Sequence, residues 1–201
     1  LDPATASGYT PLFDQIETRM TAWVMRELSV DATEADRLRR HYWQTYGTTL
    51  SGLMAEHGMD PLDYLVDVHD ISFAALRPDP RLRAGIAALP GRRIVYTNGS
   101  APYAQRVLEA RGLCGIFDAV YGVEHAGFHP KPRREAFETV FARDGVVPGR
   151  AAMFEDDPRN LAAPHDMGMR TVLVAPERLE APHIHHHTDD LAGFLGRLAV
   201  A

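Results

Sequence analysis

The sequence has little cysteine, no long apolar run and no excess of positive charge. Cys114 is the only cysteine among 201 residues, which excludes a disulfide within the chain and fits a reducing, cytoplasmic compartment. No apolar segment approaches the ~18 residues of a membrane-spanning helix, so we expect no membrane partner. A formal net charge of −6 argues against binding of a nucleic acid polymer, which requires a basic surface. A small anionic substrate remains open, because local basic groups can bind one.

The part of the chain from residue 11 to residue 76 is predicted to be entirely helical. Apolar residues recur at a spacing of four from Leu12 to Val24, which places them on one face of a helix. Asp31 followed by Glu34 forms a capping-box pattern, and Asp60 before a proline is another helix start. This region therefore reads as a bundle of helices without strands.

From residue 77 onward, strands are predicted to alternate with helices. The predicted strands cover residues 93–97, 117–121, 151–154 and 171–174, and helical segments of about ten residues separate them. Such alternation indicates parallel βαβ units. The sequence thus predicts an α/β sheet domain with an all-helical insert on its N-terminal side.

Polar clusters follow two of these strands, and a lysine lies between them in sequence. Thr97 and Asn98 end one strand, and Glu155 and Asp156 end another. Ligands of an open parallel sheet collect at the carboxyl ends of its strands. Thr97 and the backbone amides after it would donate to phosphate oxygens, Lys131 would neutralise charge, and the carboxylates would hold Mg²⁺.

Each of these elements also has a purely structural interpretation. An acidic run suits a helix N-terminus, a Thr-Asn-Gly sequence is a common turn, and a lysine at a helix start is usually solvated. The order and spacing of the three elements as a set are more specific than any one of them.

That set resembles the haloacid dehalogenase superfamily. Val95–Gly99 looks like its second motif, His129–Pro132 like its third, and Phe154–Asp157 like its fourth. The resemblance implies a Rossmann-like three-layer parallel sheet, formed by residues 1–10 and 77–201, and a helical cap domain formed by residues 11–76. Within the cap, residues 46–50 and 60–71 resemble the pyrimidine 5′-nucleotidase branch.

The resemblance further implies a Mg²⁺-dependent phosphohydrolase that works through a phosphoaspartate. The first motif of the family, Asp-x-Asp-x-Thr, supplies a nucleophilic aspartate and an acid/base aspartate, but this motif does not occur in the 201 residues. Asp2 is the candidate for the acid/base position, with the nucleophile just before Leu1, and the alternative is that Leu1 lies several residues beyond the motif. We therefore expect a strand upstream of Leu1, because the first strand of this fold is central and its loss would leave its neighbours unpaired.

Three further features carry alternatives. The histidines in the range 183–187 are predicted to form an exposed loop, with binding of a transition metal as the alternative. Cys114 is predicted to lie in the core rather than to act as a nucleophile. The aromatic residues Tyr42, Trp43 and Tyr46 could stack on a substrate base or could pack the core of the cap.

The sequence as a whole predicts a cytoplasmic phosphatase of small phosphomonoesters, with pyrimidine nucleoside 5′-monophosphates as the expected substrates. Sugar phosphates are the alternative substrates, and a non-catalytic binding or regulatory protein is the alternative function. The dehalogenase chemistry of the superfamily is less favoured, because consecutive acids suit a metal ion.

Overall fold

The structure is a computed structural model, and it describes residues 11–198, so that Asp2 lies outside the described residues. The helices are α1 (Pro11–Leu28), α2 (Ala32–Tyr46), α3 (Thr49–His57), α4 (Pro61–Val68), α5 (Pro80–Ala87), α6 (Ala101–Ala110), α7 (Arg134–Asp144), α8 (Arg159–Asp166) and α9 (Leu191–Leu198). The strands are β1 (Ile94–Tyr96), β2 (Ala119–Tyr121), β3 (Ala152–Glu155), β4 (Arg170–Val174) and β5 (His186–Thr188).

The starts of α2 and α4 are fixed by local capping, as predicted. Asp31 precedes α2 and accepts a hydrogen bond from the backbone N–H of Glu34 at 2.9 Å. Asp60 does the same for α4, with Leu62 as the donor at 2.8 Å, and Pro61 occupies the first turn. These side chains satisfy amide groups that the helices themselves leave unpaired.

The four helices α1–α4 pack around a common apolar cluster, and we refer to them as the cap. Trp23, Val24 and Leu53 are buried there, and the ring of Trp23 meets that of Tyr64 edge to face. Val123, which lies far along the chain, is buried in the same cluster. The predicted domain boundary near residue 76 stays a prediction, because the cap shares its apolar interior with the segment after β2.

Gly52 allows α3 to approach α2 closely. A Cβ atom at Gly52 would overlap the ring of Tyr42, which is fully buried. We expect Gly52→Ala to lower the free energy of unfolding by about 1–3 kcal/mol, measured by urea denaturation. Gly196→Ala in α9 is the matched control, because a Cβ atom there meets nothing within 4 Å. The control should be neutral or slightly stabilising, and an equal loss in both variants would contradict this packing.

The strands form parallel sheets, which confirms the predicted α/β fold. β1 pairs with β2, and β3, β4 and β5 pair in that order, all in parallel. Among the described strands, no hydrogen-bonded pairing joins the two sheets. The strand expected upstream of Leu1 stays a prediction.

The prediction of an exposed loop at the histidine cluster was wrong for its second half, although His185 and His186 are exposed. His186 and His187 belong to β5, which pairs with β4, and Nδ1 of His185 lies 2.7 Å from Oγ1 of the fully buried Thr171. The three-residue strand has no apolar alternation of its own, so it exists because β4 offers a free edge. In the part of the chain that the structure describes, no three His, Cys, Asp or Glu side chains are placed to hold a metal ion together.

The prediction that Cys114 lies in the core was also wrong. Cys114 is exposed in the turn after α6, whereas Leu113 and Ile116 on either side of it are buried. The turn gives the inward positions to these larger apolar side chains, and the thiol faces solvent.

Between residues 11 and 198, no helix is both long enough and apolar enough to cross a membrane.

Candidate active site

The candidate site lies where β1 and β3 end. Lys131, from the loop before α7, places its Nζ atom 3.2 Å from the carbonyl oxygen of Tyr96 and 2.6 Å from Oε2 of Glu155. Tyr96 is the last residue of β1, and Glu155 is the last residue of β3. One ammonium group therefore ties the ends of the two sheets together, and the structure brings the three predicted segments to one edge.

Lys131 and Glu155 form a buried ion pair. Their side chains are 6% and 8% exposed, and the other carboxylate oxygen of Glu155 accepts a hydrogen bond from Nδ2 of Asn160 at 3.1 Å. Burial raises the pKa of the Glu155 carboxyl, and the charge of Lys131 opposes that rise. Both carboxylate oxygens of Glu155 accept hydrogen bonds from the protein, and one of these bonds holds the ammonium group of Lys131 in place. Its share in a metal site stays a prediction.

Asn98 fixes the main chain of Lys131. Nδ2 of Asn98 donates to the Lys131 carbonyl oxygen at 3.0 Å, and Oδ1 accepts from the Lys131 N–H at 2.7 Å. The side chain of Asn98 is thereby engaged. Its backbone N–H makes no hydrogen bond within residues 11–198 and can donate to a ligand.

Thr97 presents a hydroxyl group at the start of the same turn. Oγ1 of Thr97 accepts a hydrogen bond from the backbone N–H of Gly99 at 3.0 Å. Its own hydrogen meets no acceptor in the described part of the chain, so it can donate to an anion. Thr97 and the amide of Asn98 thus offer adjacent donors close to Lys131, as expected for a phosphate.

The two acids after Glu155 differ in their surroundings. Asp157 is held by Arg159, whose Nη2 atom lies 2.6 Å from Oδ2 of Asp157. The side chain of Asp156 is exposed at the edge of the site. Partial burial acts to raise the pKa of Asp156, but the interaction with the Glu155 carboxyl and the charge of Lys131 hold the pKa below its usual range. Asp156 is therefore an ionised carboxylate whose oxygens suit a hard cation such as Mg²⁺.

The cap contributes an aromatic residue beside this edge. Trp43 in α2 is 50% exposed, and the guanidinium of Arg159 lies 4.8 Å from its ring centre. Tyr42, by contrast, is fully buried in the cap and bonds His57. Tyr46 directs its hydroxyl to Glu56. Of the three aromatic candidates, Trp43 is the one whose side chain is half exposed next to the site.

His69 lies next to the candidate site, although the sequence analysis placed it only at a helix end and in the segment that resembles the pyrimidine 5′-nucleotidase branch. It follows α4, it is 8% exposed, and its ring stacks on that of Tyr103 with the centres 4.3 Å apart. Its Nδ1 atom lies 3.1 Å from Oγ of Ser100, the residue that caps α6. His69 therefore joins the cap to the turn that carries Thr97.

The burial of His69 predicts a pH dependence of stability. Burial lowers its pKa from 6.5 to about 4, and the charge of Arg106 from α6 acts in the same direction. Below pH 6.5 the His69 ring binds a proton in the unfolded chain but not in the folded protein. The free energy of unfolding therefore has its full value above pH 6.5 and falls as the pH drops towards 4. We expect a loss of up to roughly 3 kcal/mol across this window in urea denaturation, relative to His69→Gln. Parallel pH profiles of the two proteins would contradict it.

Two comparisons place these features among known proteins. A family model described as hydrolase, haloacid dehalogenase-like hydrolase, matches residues 11–168. Phosphate metabolism protein 8 of Saccharomyces cerevisiae is 28% identical over 163 residues, which cover 73% of this chain and 51% of the yeast protein. The chain thus spans about half the length of this curated relative.

Solved structures of haloacid dehalogenase-type enzymes share the fold. An HAD phosphatase from Thermococcus onnurineus is 17% identical, with a TM-score of 0.61 and coverage of 94% of this chain and 90% of its own. The L-2-haloacid dehalogenase of Xanthobacter autotrophicus with chloropropionic acid covalently bound is 17% identical, with a TM-score of 0.57 and coverage of 97% and 90%. The putative HAD-hydrolase YfnB of Bacillus subtilis, bound to magnesium, is 16% identical, with a TM-score of 0.57 and coverage of 92% of both chains.

Proposed function

Because the chain belongs to the haloacid dehalogenase-like hydrolases, we propose that it is a Mg²⁺-dependent phosphatase of small phosphomonoesters. The observation that carries this proposal is the buried ammonium group of Lys131, which Glu155 and Asn98 hold at the edge where Thr97 presents its hydroxyl. A cation in a fixed position beside free hydrogen-bond donors suits a group that carries negative charge in the transition state. The exposed carboxylate of Asp156 adds the type of ligand that Mg²⁺ requires.

Each residue of the candidate site has a separate proposed role in binding or catalysis. The hydroxyl of Thr97 and the N–H of Asn98 donate to the phosphoryl oxygens, and Lys131 neutralises charge that develops on them. Asp156, with Glu155 beside it, would hold Mg²⁺, which offsets the repulsion between an attacking carboxylate and the phosphate when it is bound. By the family resemblance, Asp2 exchanges the proton with the leaving group, and an aspartate preceding it attacks phosphorus.

We further propose pyrimidine nucleoside 5′-monophosphates as the substrates. The support is the resemblance in the cap together with Trp43, whose ring is half exposed beside the site and can stack on a base. Trp43→Ala should raise KM for nucleotides by roughly tenfold, because base stacking on an aromatic ring contributes about 1–3 kcal/mol to binding. Trp43→Phe retains a ring and should stay close to the unaltered protein.

A substrate panel tests both levels of this proposal. The protein expressed from its full gene is assayed for phosphate release from pyrimidine nucleotides, purine nucleotides and sugar phosphates. The proposal predicts the highest kcat/KM for pyrimidine nucleotides and no effect of Trp43→Ala on glycerol 2-phosphate, which has no ring to stack. A preference for sugar phosphates would overturn the substrate, and no release from any compound would overturn the phosphatase.

A further inference from the structure

The guanidinium group of Arg159 is held in one orientation by Asp157. Its Nη2 atom donates to Oδ2 of Asp157 at 2.6 Å, and its Nε atom lies 3.1 Å from both carboxylate oxygens. The backbone N–H of Arg159 donates to Oδ1 at 2.9 Å and so fixes the carboxylate in turn. A planar guanidinium that pairs through two of its nitrogens has little freedom to rotate. The side chain of Arg159 is therefore fixed relative to Asp156, the residue before Asp157.

The ring of Trp43 lies outside the packed interior of the cap. Trp43 is in the last turn of α2, is half exposed and does not belong to the apolar cluster of the cap. Among residues 11–198, its side chain makes no hydrogen bond, and its ring interacts with no cation or other aromatic ring except Arg159, whose guanidinium carbon lies 4.8 Å from the ring centre. Arg159 is therefore the residue that can set the orientation of this ring.

A second arginine holds the same end of α2 close to the candidate site. Arg133, two residues after Lys131, donates from Nη2 to the carbonyl oxygen of Tyr46, the last residue of α2, at 3.4 Å. Cations are favourable at the C-terminal end of a helix, where carbonyl groups lack partners. The segments that carry Lys131 and Asp156 thus each direct an arginine to this end of α2, which places Trp43 beside the candidate site.

We propose that Arg159 is a positioning residue, which holds the ring of Trp43 in the orientation that stacks on the base of the substrate. This inference rests on the proposed function, since it takes Trp43 to contact the base. The guanidinium covers one face of the ring, so a base stacks on the opposite face. Arg159 then sets the preference for nucleotides over substrates without a ring, because a side chain that is already fixed loses less conformational freedom when the base binds.

Substitution of Arg159 by alanine tests this role through two substrates of the full-gene protein. The measured quantity is the ratio of KM for uridine 5′-monophosphate to KM for glycerol 2-phosphate. Loss of charge beside Asp157 acts on both substrates and cancels in the ratio, whereas loss of the fixed ring acts on the nucleotide alone. We expect Arg159→Ala to raise the ratio by about twofold to fivefold, the effect of one exposed contact between a cation and an aromatic ring.

Arg134→Ala is the matched control. Arg134 is the first residue of α7, as Arg159 is of α8, and both side chains are about half exposed and paired with a carboxylate. The partner of Arg134 is Glu138, at 2.8 Å. The control should leave the KM ratio unchanged. An unchanged ratio in Arg159→Ala, or an equal rise in both variants, would overturn the inference.

The double variant Trp43→Ala/Arg159→Ala separates positioning from direct contact. If Arg159 acts through the ring, the double variant has the same KM ratio as Trp43→Ala alone. A further rise would mean that Arg159 contacts the base itself, and the positioning role would be refuted. If Trp43→Ala leaves the ratio unchanged, the proposed base contact fails and this inference fails with it. If Trp43→Ala raises the ratio and Arg159→Ala does not, only this inference fails.

Tryptophan fluorescence tests the contact without any turnover. The 201 residues contain two tryptophans, and Trp23 is buried, so quenching by acrylamide reports mainly on Trp43. The signal that remains in Trp43→Phe is subtracted. We expect Arg159→Ala to increase the quenching of Trp43, because the guanidinium no longer covers its ring, and Arg134→Ala to leave it unchanged. Equal quenching in Arg159→Ala and the unaltered protein would refute the contact, whether or not the protein releases phosphate.

Discussion

Replacement of Lys131 by methionine is expected to lower the rate of phosphate release by about a hundredfold to a thousandfold and to destabilise the fold. The side chain of Lys131 is 6% exposed and its ammonium group is held by Tyr96 and Glu155, so no water can take its place at low cost. Methionine has a similar length but no charge, and the substitution leaves the carboxylate of Glu155 buried without its cation. Such an uncompensated charge costs about 3–5 kcal/mol. Steady-state kinetics and urea denaturation measure the two effects.

A second substitution separates the two roles of Lys131. Glu155→Gln in the Lys131→Met background removes the orphaned charge and keeps an oxygen for the hydrogen bond from Asn160. The double variant should recover most of the lost stability and none of the lost activity. Recovery of activity along with stability would show that Lys131 serves folding alone.

Replacement of Asp156 by asparagine should lower phosphate release by at least about a hundredfold, because a metal ion supplies several kcal/mol of transition-state stabilisation. The remaining activity should need a higher Mg²⁺ concentration, since one anionic ligand has been removed. A titration of the initial rate against Mg²⁺ measures both changes.

Asp157→Asn is the matched control for this prediction. Asp157 is the neighbouring residue, but its carboxylate is paired with Arg159, whose side chain is 56% exposed. Loss of such an exposed pair costs less than about 1 kcal/mol and should leave the Mg²⁺ dependence unchanged. Equal losses in the two variants would contradict the assignment of the metal to Asp156.

The helices of the cap could be predicted because their signals are local. Asp31 and Asp60 cap their own helices, and the apolar face of α1 repeats within its own sequence. β5 could not be predicted in this way, because a His-His-Thr strand is specified by its partner β4. The exposure of Cys114 likewise depends on which neighbours in the turn reach the core.

The place of the candidate site could also be predicted, because parallel strands bring their carboxyl ends to one edge. The hydrogen-bond partners of each side chain could not be predicted. Lys131 bonds to Glu155, which is 24 residues away in sequence, and to Asn98, which is 33 residues away. His69 is the clearest case. Its position after α4 indicates a helix end within a segment that resembles the nucleotidase branch, but its contact with Ser100 arises from the packing of the cap on α6.

The most direct test of the central claim is phosphate release from para-nitrophenyl phosphate by the full-gene protein, with Mg²⁺ and with a chelator in excess. This compound carries neither a base nor a sugar, so the result does not depend on which nucleotide or sugar the protein prefers. We expect release of phosphate in the presence of Mg²⁺ and its loss when the chelator is in excess. Release at the level of the protein-free blank in both conditions would contradict it.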